Sequence, residues 1–154
     1  MNTITFRLKL VDIQKLREHE ETDPGRLRRI LAAIEADCVL KNPLVADYRT
    51  LVILDGVHRL NALRLIGCLV APVCLVNYMS DDIVVYSKDH STIINKRDVI
   101  LAGFSDKKFP PRTTWHMIRT DEGLQHISSI EIPVNLPLAI CRQNPTMGNM
   151  RSLG

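Results

Sequence analysis

The segment LDGVHR at residues 54–59 has the residue types of a phosphate-binding turn. An apolar run ends there in Asp55-Gly56, and apolar residues at helical spacing follow. A strand that turns directly into a helix aims backbone N–H groups and the positive end of the helix dipole at one point, where an anion can bind. We therefore expect an anion site at this turn, with charge-assisted hydrogen bonds from His58 and Arg59 and with Asp55 as a metal-binding carboxylate.

The same residues are also typical of a purely structural turn. Asp55 could cap the helix that follows it, and Arg59 could lie on the surface of that helix. The helix dipole contributes at most about 2 kcal/mol to anion binding, so a polyphosphate would need further cationic groups or a metal ion. The choice between the two interpretations therefore depends on which residues from other segments of the chain lie near the turn.

Hydrophobic periodicity predicts the elements that position this turn. They are a strand at 4–10, a helix at 24–37, a hairpin formed by 44–46 and 51–54, a helix that begins after the Asp-Gly turn and ends at Gly67, and a strand at 70–76. Asp23 and Pro24 are the N-cap and first-turn residues of the first helix. Pro72 predicts an edge position or a strand start for its strand. Segment 16–23 carries four acids in eight positions, which predicts an exposed loop.

The periodicity weakens in the second half of the chain. We predict a strand at 83–86, a helical turn at 98–102, a polar loop at 103–114 and a disordered end at 145–154. The sequence contains no internal repeat, and no composition shift marks a linker. The prediction is therefore a single domain over residues 1–144.

Composition excludes several functional classes. The chain has 154 residues, of which 45% are hydrophobic and 24% charged, and its net charge of +3 comes from basic residues scattered among acids, so we expect no nucleic-acid partner. The apolar run 68–76 is far shorter than the roughly 20 residues of a membrane helix, so we expect no membrane partner. The amino terminus lacks a signal-peptide core, and the four cysteines form no CxxC pair, which predicts a cytoplasmic protein with reduced thiols.

Four segments together resemble, in matching order, the free-serine kinases of the ParB/sulfiredoxin-like fold. The segments are LDGVHRLNALRLIGCLVAPV at 54–73, the His-Glu pair at 19–20 followed by Asp-Pro at 23–24, NPLVAD at 42–47, and PPRTTWH at 110–116. The resemblance covers about residues 8–116. It implies an α/β fold in which a small mixed sheet is flanked by helices.

The resemblance also implies an activity and a set of site residues. The activity is transfer of a phosphoryl group from ATP or ADP, with Mg²⁺, to the hydroxyl of free L-serine, which gives O-phospho-L-serine. Glu20 matches the catalytic base of these kinases, and a carboxylate in that role orients the attacking hydroxyl and accepts its proton. The phosphate-binding turn is matched by Asp55, Gly56, Val57, His58 and Arg59, with Asp55 as a catalytic residue beside the metal ion. The substrate-binding segment is matched by Thr113, Thr114 and His116.

The sequence departs from the kinases in two respects. Trp115 stands where they usually have an arginine, which removes a bidentate partner for a carboxylate or a phosphate. The stretch between Arg59 and Thr113 is also shorter than theirs. If the match between this acidic loop and that of the kinases is shifted by a residue or more, Glu18 or Glu21 takes the place of Glu20 as the base.

Three other interpretations of the sequence compete with the kinase. A sulfiredoxin would need a cysteine in the phosphate-binding turn, where this chain has Val57. A ParB-type DNA clamp would need a helix-turn-helix, which the proline-broken remainder of the chain does not form. A non-catalytic nucleotide-binding or regulatory module of the same fold stays open. The sequence does not decide the oligomeric state, the choice between ATP and ADP, or the exact hydroxy amino acid.

Overall fold

A four-stranded mixed sheet and a three-stranded antiparallel sheet form the framework of the computed structural model, which describes residues 4–89 and 93–143. The elements are, in chain order, β1 (Phe6–Asp12), α1 (Pro24–Asp37), β2 (Val39–Leu40), β3 (Leu44–Asp47), β4 (Ile53–Asp55), α2 (Val57–Ile66), β5 (Val70–Val76), β6 (Ile83–Ser87), α3 (Lys96–Gly103), β7 (Thr114–Thr120), β8 (Gly123–His126), β9 (Leu136–Pro137) and α4 (Leu138–Cys141), with 3-10 helices at Ile13–Lys15 and Ile127–Ile130. The predicted class, a small mixed sheet with flanking helices, is confirmed.

The first half of the chain folds largely as its periodicity predicts. α1 spans the predicted residues, and the Asp23 carboxylate accepts a hydrogen bond from the Gly25 N–H as its N-cap. β3 and β4 form the predicted antiparallel hairpin. α2 follows the Asp-Gly turn directly, and Gly67 in a left-handed conformation ends it.

The prediction for Pro72 was wrong, because β5 is a central strand. The four-stranded sheet has the order β1-β5-β3-β4, in which β5 is antiparallel to β1 and parallel to β3. The parallel ladder begins at Val73, one residue after Pro72. At Pro72 the strand therefore has a ladder partner only on the β1 side, so the missing N–H is tolerated.

The acidic segment 16–23 is not the exposed loop that its composition predicts. Its residues His19 and Glu20 are only 5% and 8% exposed. The segment also forms isolated parallel bridges between Arg17 and Val52 and between Glu20 and Phe109. These partners lie far away in the sequence, and composition alone does not reveal them.

Strand alternation divides the core between two faces of the four-stranded sheet. Leu44 and Ala46 of β3 pack in one apolar cluster with Leu60 of α2. Val45, which points the opposite way, packs in a second cluster with Ile118 of β7. β3 is buried on both faces, as the apolar run of its first three residues requires.

The second half of the chain contains more regular structure than predicted. The strand at 83–86 is present as β6, and the helical turn at 98–102 is part of the longer α3. The hairpin of β7 and β8 was not predicted, and with β6 it forms the second sheet. The predicted disordered end at 145–154 lies outside the described residues. Every helix within the described ranges is too short or too polar to span a bilayer.

Gly56 generates the first prediction, because its backbone and its surroundings both exclude a side chain. Its φ is +107°, and a Cβ would lie 2.6 Å from Cδ2 of Leu44. We expect Gly56→Ala to lower the free energy of unfolding by about 3 kcal/mol, through left-handed strain together with overpacking. Denaturant unfolding measures this loss.

The matched control is Gly123→Ala. Gly123 has the same φ of +107°, but no atom lies within 4 Å of the added Cβ. Strain alone should lower the stability of this variant by about 1 kcal/mol. Equal losses for the two variants would show that the contact with Leu44 is unimportant.

Candidate active site

A cavity of about 320 Å³ opens where α2 begins. Its walls come from the segment around Glu20, from the end of β4 and the start of α2, from α1, and from the beginning of β7. The structure thus brings together three of the four segments on which the sequence interpretation rests. They converge from positions far apart in the chain.

The start of α2 faces this cavity without a side-chain cap. Gly56 is the N-cap residue in a left-handed conformation, and it has no side chain with which to cap the first turn. Gly56, Val57 and His58 all line the cavity. A ten-residue helix whose first turn lines a cavity without a cap from its N-cap residue can bind an anion there.

Glu20 also lines the cavity, and β7 fixes its carboxylate. Oε2 accepts a hydrogen bond of 2.7 Å from the Thr114 N–H and one of 2.6 Å from the Thr114 hydroxyl. Glu20 is 8% exposed. Its neighbours in sequence are placed differently: Glu18 forms an ion pair with Arg64, and Glu21 is exposed. Of these three acids, only Glu20 lines the cavity.

His19 also lines the cavity and holds the Thr114 side chain that contacts Glu20. Its Nδ1 lies 2.9 Å from the carbonyl oxygen of Ile53, and its Nε2 lies 2.8 Å from the Thr114 hydroxyl oxygen. Burial lowers the pKa of His19 to about 4, and the nearby charge of Lys108 acts in the same direction. His19 is therefore a neutral imidazole near pH 7.

His58 joins the starts of the two long helices. Its Nε2 accepts a hydrogen bond of 2.9 Å from the backbone N–H of Asp23, the N-cap residue of α1. Burial lowers the pKa of His58, and the charge of Arg26 lowers it further. A neutral ring that accepts from Asp23 is a structural link, so the part of His58 that suits an anion is its backbone N–H.

Arg59 is already engaged by protein groups, and its side chain is 19% exposed. Nη2 donates to Asp55 at 3.0 Å and to Glu131 at 3.2 Å, and Nη1 donates to the Pro43 carbonyl at 2.8 Å and to Glu131 at 3.1 Å. Sequence reasoning missed Glu131, since nothing nearby in the chain marks a partner 72 residues away. Burial and the neighbouring Asp55 raise the pKa of the Glu131 carboxyl, although Arg59 opposes this shift.

The three residues predicted to bind the substrate are placed differently from one another. Thr114 lines the cavity and contacts Glu20. The Thr113 hydroxyl donates back to the Pro110 carbonyl at 2.7 Å, within its own turn. His116 also lines the cavity, although it is only 2% exposed, and its Nε2 lies 2.9 Å from the Tyr78 hydroxyl oxygen. Burial holds the pKa of His116 well below its usual range.

Two further arginines line the cavity, and sequence reasoning had assigned no role to them. Arg26 is an exposed residue of the first turns of α1, and Arg112 is an exposed residue of the loop before β7. Both charges lower the pKa of His58, which places them near the start of α2. Arg112 also belongs to the PPRTTWH segment, which was the signal that could have identified it.

The aromatic wall of the cavity comes from the second sheet. Trp115 and His126 lie edge to face with ring centroids 5.1 Å apart, and both line the cavity. Trp115 is 36% exposed. The residue that replaces the arginine of the kinases therefore faces the site rather than the core.

The side chains around the cavity suit a metal ion that the protein and a bound ligand hold together. Within the described ranges, no three His, Cys, Asp or Glu side chains converge as a metal-binding group. Asp55 nevertheless lines the cavity, with its carboxylate partly exposed. Mg²⁺ is commonly bound by one or two carboxylates together with substrate phosphates, and Asp55 fits that pattern.

Sequence comparison relates part of the chain to kinases of known name. No protein-family model matches it. The ATP-dependent L-serine kinase SbnI of Staphylococcus aureus is 37% identical over 76 residues, which are 47% of this chain and 30% of that protein. An ATP-dependent L-serine kinase of Staphylothermus marinus is 28% identical over 78 residues, which are 48% of this chain and 31% of that protein. The chain is thus homologous to these kinases over about half its length, and its matched part spans less than a third of theirs.

Structural comparison extends the likeness to most of the chain. SbnI with a C-terminal truncation, from Staphylococcus aureus, matches 89% of this chain and 90% of that chain with a TM-score of 0.65 and 16% identity. A mutant free serine kinase in complex with AMP matches 56% of this chain and 38% of that chain with a TM-score of 0.51 and 22% identity. The fold implied by the sequence resemblance is confirmed.

The buried cluster around Arg59 generates the second prediction. We expect Arg59→Met to lower the free energy of unfolding by about 3 kcal/mol, because it leaves the carboxyl groups of Asp55 and Glu131 without their shared cationic donor. Adding Glu131→Gln should recover at least about 1 kcal/mol at pH 7, because burial raises the pKa of Glu131 to about 8 and an amide avoids the free energy of protonating that acid on folding. Denaturant unfolding at pH 7 measures both values.

Arg64→Met is the matched control on the same helix. Arg64 pairs with Glu18, and its side chain is 37% exposed. Its loss should lower stability by less than about 1 kcal/mol. If Arg59→Met and Arg64→Met were equally mild, Arg59 would not hold the carboxylates in place.

Proposed function

We propose that this homologue of the ATP-dependent L-serine kinases transfers a phosphoryl group from ATP to the hydroxyl of free L-serine and so forms O-phospho-L-serine. One observation carries the proposal. The buried carboxylate of Glu20 and the uncapped start of α2 line the same cavity. Phosphoryl transfer needs a base for the attacking hydroxyl on one side and cationic groups around the phosphates on the other.

The phosphates are proposed to bind at the start of α2. The backbone N–H groups of Gly56, Val57 and His58 supply directed donors, and Arg26 supplies charge. Arg59 was expected to bind the phosphates directly, but its hydrogen bonds favour an indirect role. It holds Asp55 at the cavity wall. Asp55 would hold Mg²⁺ together with the phosphates, and the ion would neutralise negative charge during transfer.

L-serine is proposed to lie between Glu20 and the loop before β7. Glu20 is the catalytic base, and its fixed carboxylate orients the serine hydroxyl. Arg112 is proposed to bind the serine carboxylate, in place of the arginine that Trp115 replaces. Thr113, Thr114 and His116 then shape this end of the site, and Thr114 does so through Glu20. The names of the relatives favour ATP over ADP as donor.

The proposed setting is the cytoplasm, where ATP and free serine are available. All four cysteines, Cys38, Cys68, Cys74 and Cys141, are free thiols in the structure. Free thiols are typical of proteins from reducing compartments.

The base assignment generates the third prediction. With Mg²⁺, ATP and L-serine, the protein should form O-phosphoserine, and Glu20→Ala should lower kcat about 100-fold or more because the attacking hydroxyl loses its proton acceptor. Nucleotide affinity should change by less than about twofold, since the nucleotide contacts lie at α2. Chromatographic detection of phosphoserine and calorimetric titration with ATP give the two values.

Glu21→Ala is the matched control, because Glu21 is the adjacent acid and is exposed. This variant should retain full activity. A fully active Glu20→Ala would refute the assignment of the base. ATP binding without any product in the unsubstituted protein would instead support the nucleotide-binding regulatory module, the alternative that the replacement at Trp115 keeps open.

The two cavity arginines generate the fourth prediction. Arg26→Ala should weaken ATP binding about tenfold, and Arg112→Ala should raise the KM for L-serine about tenfold, because each removes a charge-assisted hydrogen bond. Arg28→Ala is the control, since Arg28 is an exposed residue of α1 that does not line the cavity. Unchanged ATP affinity in Arg26→Ala would contradict the proposed phosphate site.

A further inference from the structure

Three side chains and one carbonyl group of residues that line the cavity form a continuous hydrogen-bonded chain. The Ile53 carbonyl oxygen lies 2.9 Å from Nδ1 of His19, and Nε2 of His19 lies 2.8 Å from Oγ1 of Thr114. Oγ1 in turn lies 2.6 Å from Oε2 of Glu20. A carbonyl oxygen can only accept, so Nδ1 must carry a hydrogen. The other two contacts both involve the Thr114 hydroxyl.

These two contacts need two hydrogens, and the Thr114 hydroxyl has one. With a neutral His19 and an ionised Glu20, the hydroxyl can donate to only one of them. The remaining contact then brings two lone pairs together at hydrogen-bonding distance. One additional proton satisfies the whole chain, because Glu20 then donates to Thr114 while Thr114 donates to His19.

The additional proton belongs on Glu20 rather than on His19. Burial lowers the pKa of His19 to about 4, and the charge of Lys108 opposes a second charge there. The ring of His116 also lies edge to face with His19 at 5.5 Å, without supplying a negative charge. Glu20 is thus the acid to which His19 is connected through the Thr114 hydroxyl. The Glu20 charge also raises the pKa of the His58 ring, although burial lowers it more.

We infer that His19 and Thr114 are positioning residues that stabilise the protonated form of Glu20 by reorienting one hydroxyl group. This inference rests on the proposed function. The serine O–H bond breaks, its proton passes to Oε2 of Glu20, the serine oxygen bonds to the γ-phosphorus of ATP, and the bond from that phosphorus to the bridging oxygen breaks to release ADP. The Thr114 hydrogen then turns from Glu20 to Nε2 of His19. No positive charge has to form on the buried imidazole.

A double-mutant cycle tests the inference through kinetics. Thr114→Val and His19→Phe should each lower kcat about five- to tenfold, the value of one hydrogen bond, with little change in the KM for ATP. The double variant should be no worse than the more impaired single variant, because both substitutions interrupt the same chain. Thr114→Ser keeps the hydroxyl and should restore most of kcat.

Additive losses, or losses confined to KM, would overturn the inference. Thermal unfolding of each variant identifies a loss of folded protein. If His19→Phe does not fold, His19→Gln takes its place in the cycle, and the comparison of Thr114→Val with Thr114→Ser remains decisive.

Nitrogen-15 NMR of the His19 ring tests the same chain without any turnover. We expect a neutral imidazole with its hydrogen on Nδ1 at pH 7. In Glu20→Ala the Thr114 hydroxyl loses its carboxylate acceptor, so it should donate to Nε2 and move the Nε2 resonance to lower frequency. Glu21→Ala is the control and should leave that resonance unchanged.

The two experiments separate the inference from the function on which it rests. A doubly protonated His19, or an Nε2 resonance that Glu20→Ala leaves in place, would overturn the hydroxyl reorientation whatever the enzyme does. The expected NMR shift in a protein that forms no phosphoserine would retain the hydrogen-bonded chain and reject the serine kinase.

Discussion

The hydrogen bonds from Thr114 to Glu20 are the interaction on which the site depends. They join the segment that follows β1 to the first residue of β7, across 94 positions of sequence. Without them the free energy of desolvation would keep this acidic segment in water. With them the Glu20 carboxylate is buried at the cavity wall and held in one orientation, as its proposed role of general base requires.

A second constraint fixes the opposite wall. His58 and Asp23 connect the starts of α2 and α1, so two helix ends converge on one region. Arg59 acts on the same wall by holding Asp55 and Glu131. Much of the polar sequence around the Asp-Gly turn therefore serves to set geometry, while the exposed Arg26 and Arg112 are cavity-lining cations outside that cluster.

Sequence reasoning succeeded where the determinants are local. The N-cap at Asp23, the Asp-Gly turn and the C-terminal Gly67 mark helix ends with residues only a few positions apart, and α1 and α2 were predicted accordingly. The burial of Glu20 and the pairing of Arg59 with Glu131 depend on contacts between distant segments. The hairpin of β7 and β8 is local, but the alternation in β7 is obscured by Thr114 and His116, which form hydrogen bonds with Glu20 and Tyr78.

The long-range contact between Glu20 and Thr114 also bears on the order in which the protein folds. The turn at Gly56 joins β4 and α2, which are adjacent in the chain, whereas the orientation of the Glu20 carboxylate depends on the strand that begins at Thr114. Contacts of such high sequence separation form late, because they must close a long loop. A partly folded chain would thus contain the turn between β4 and α2 before the Glu20 carboxylate was held in place, and the proposed kinase would become active only after both segments had met.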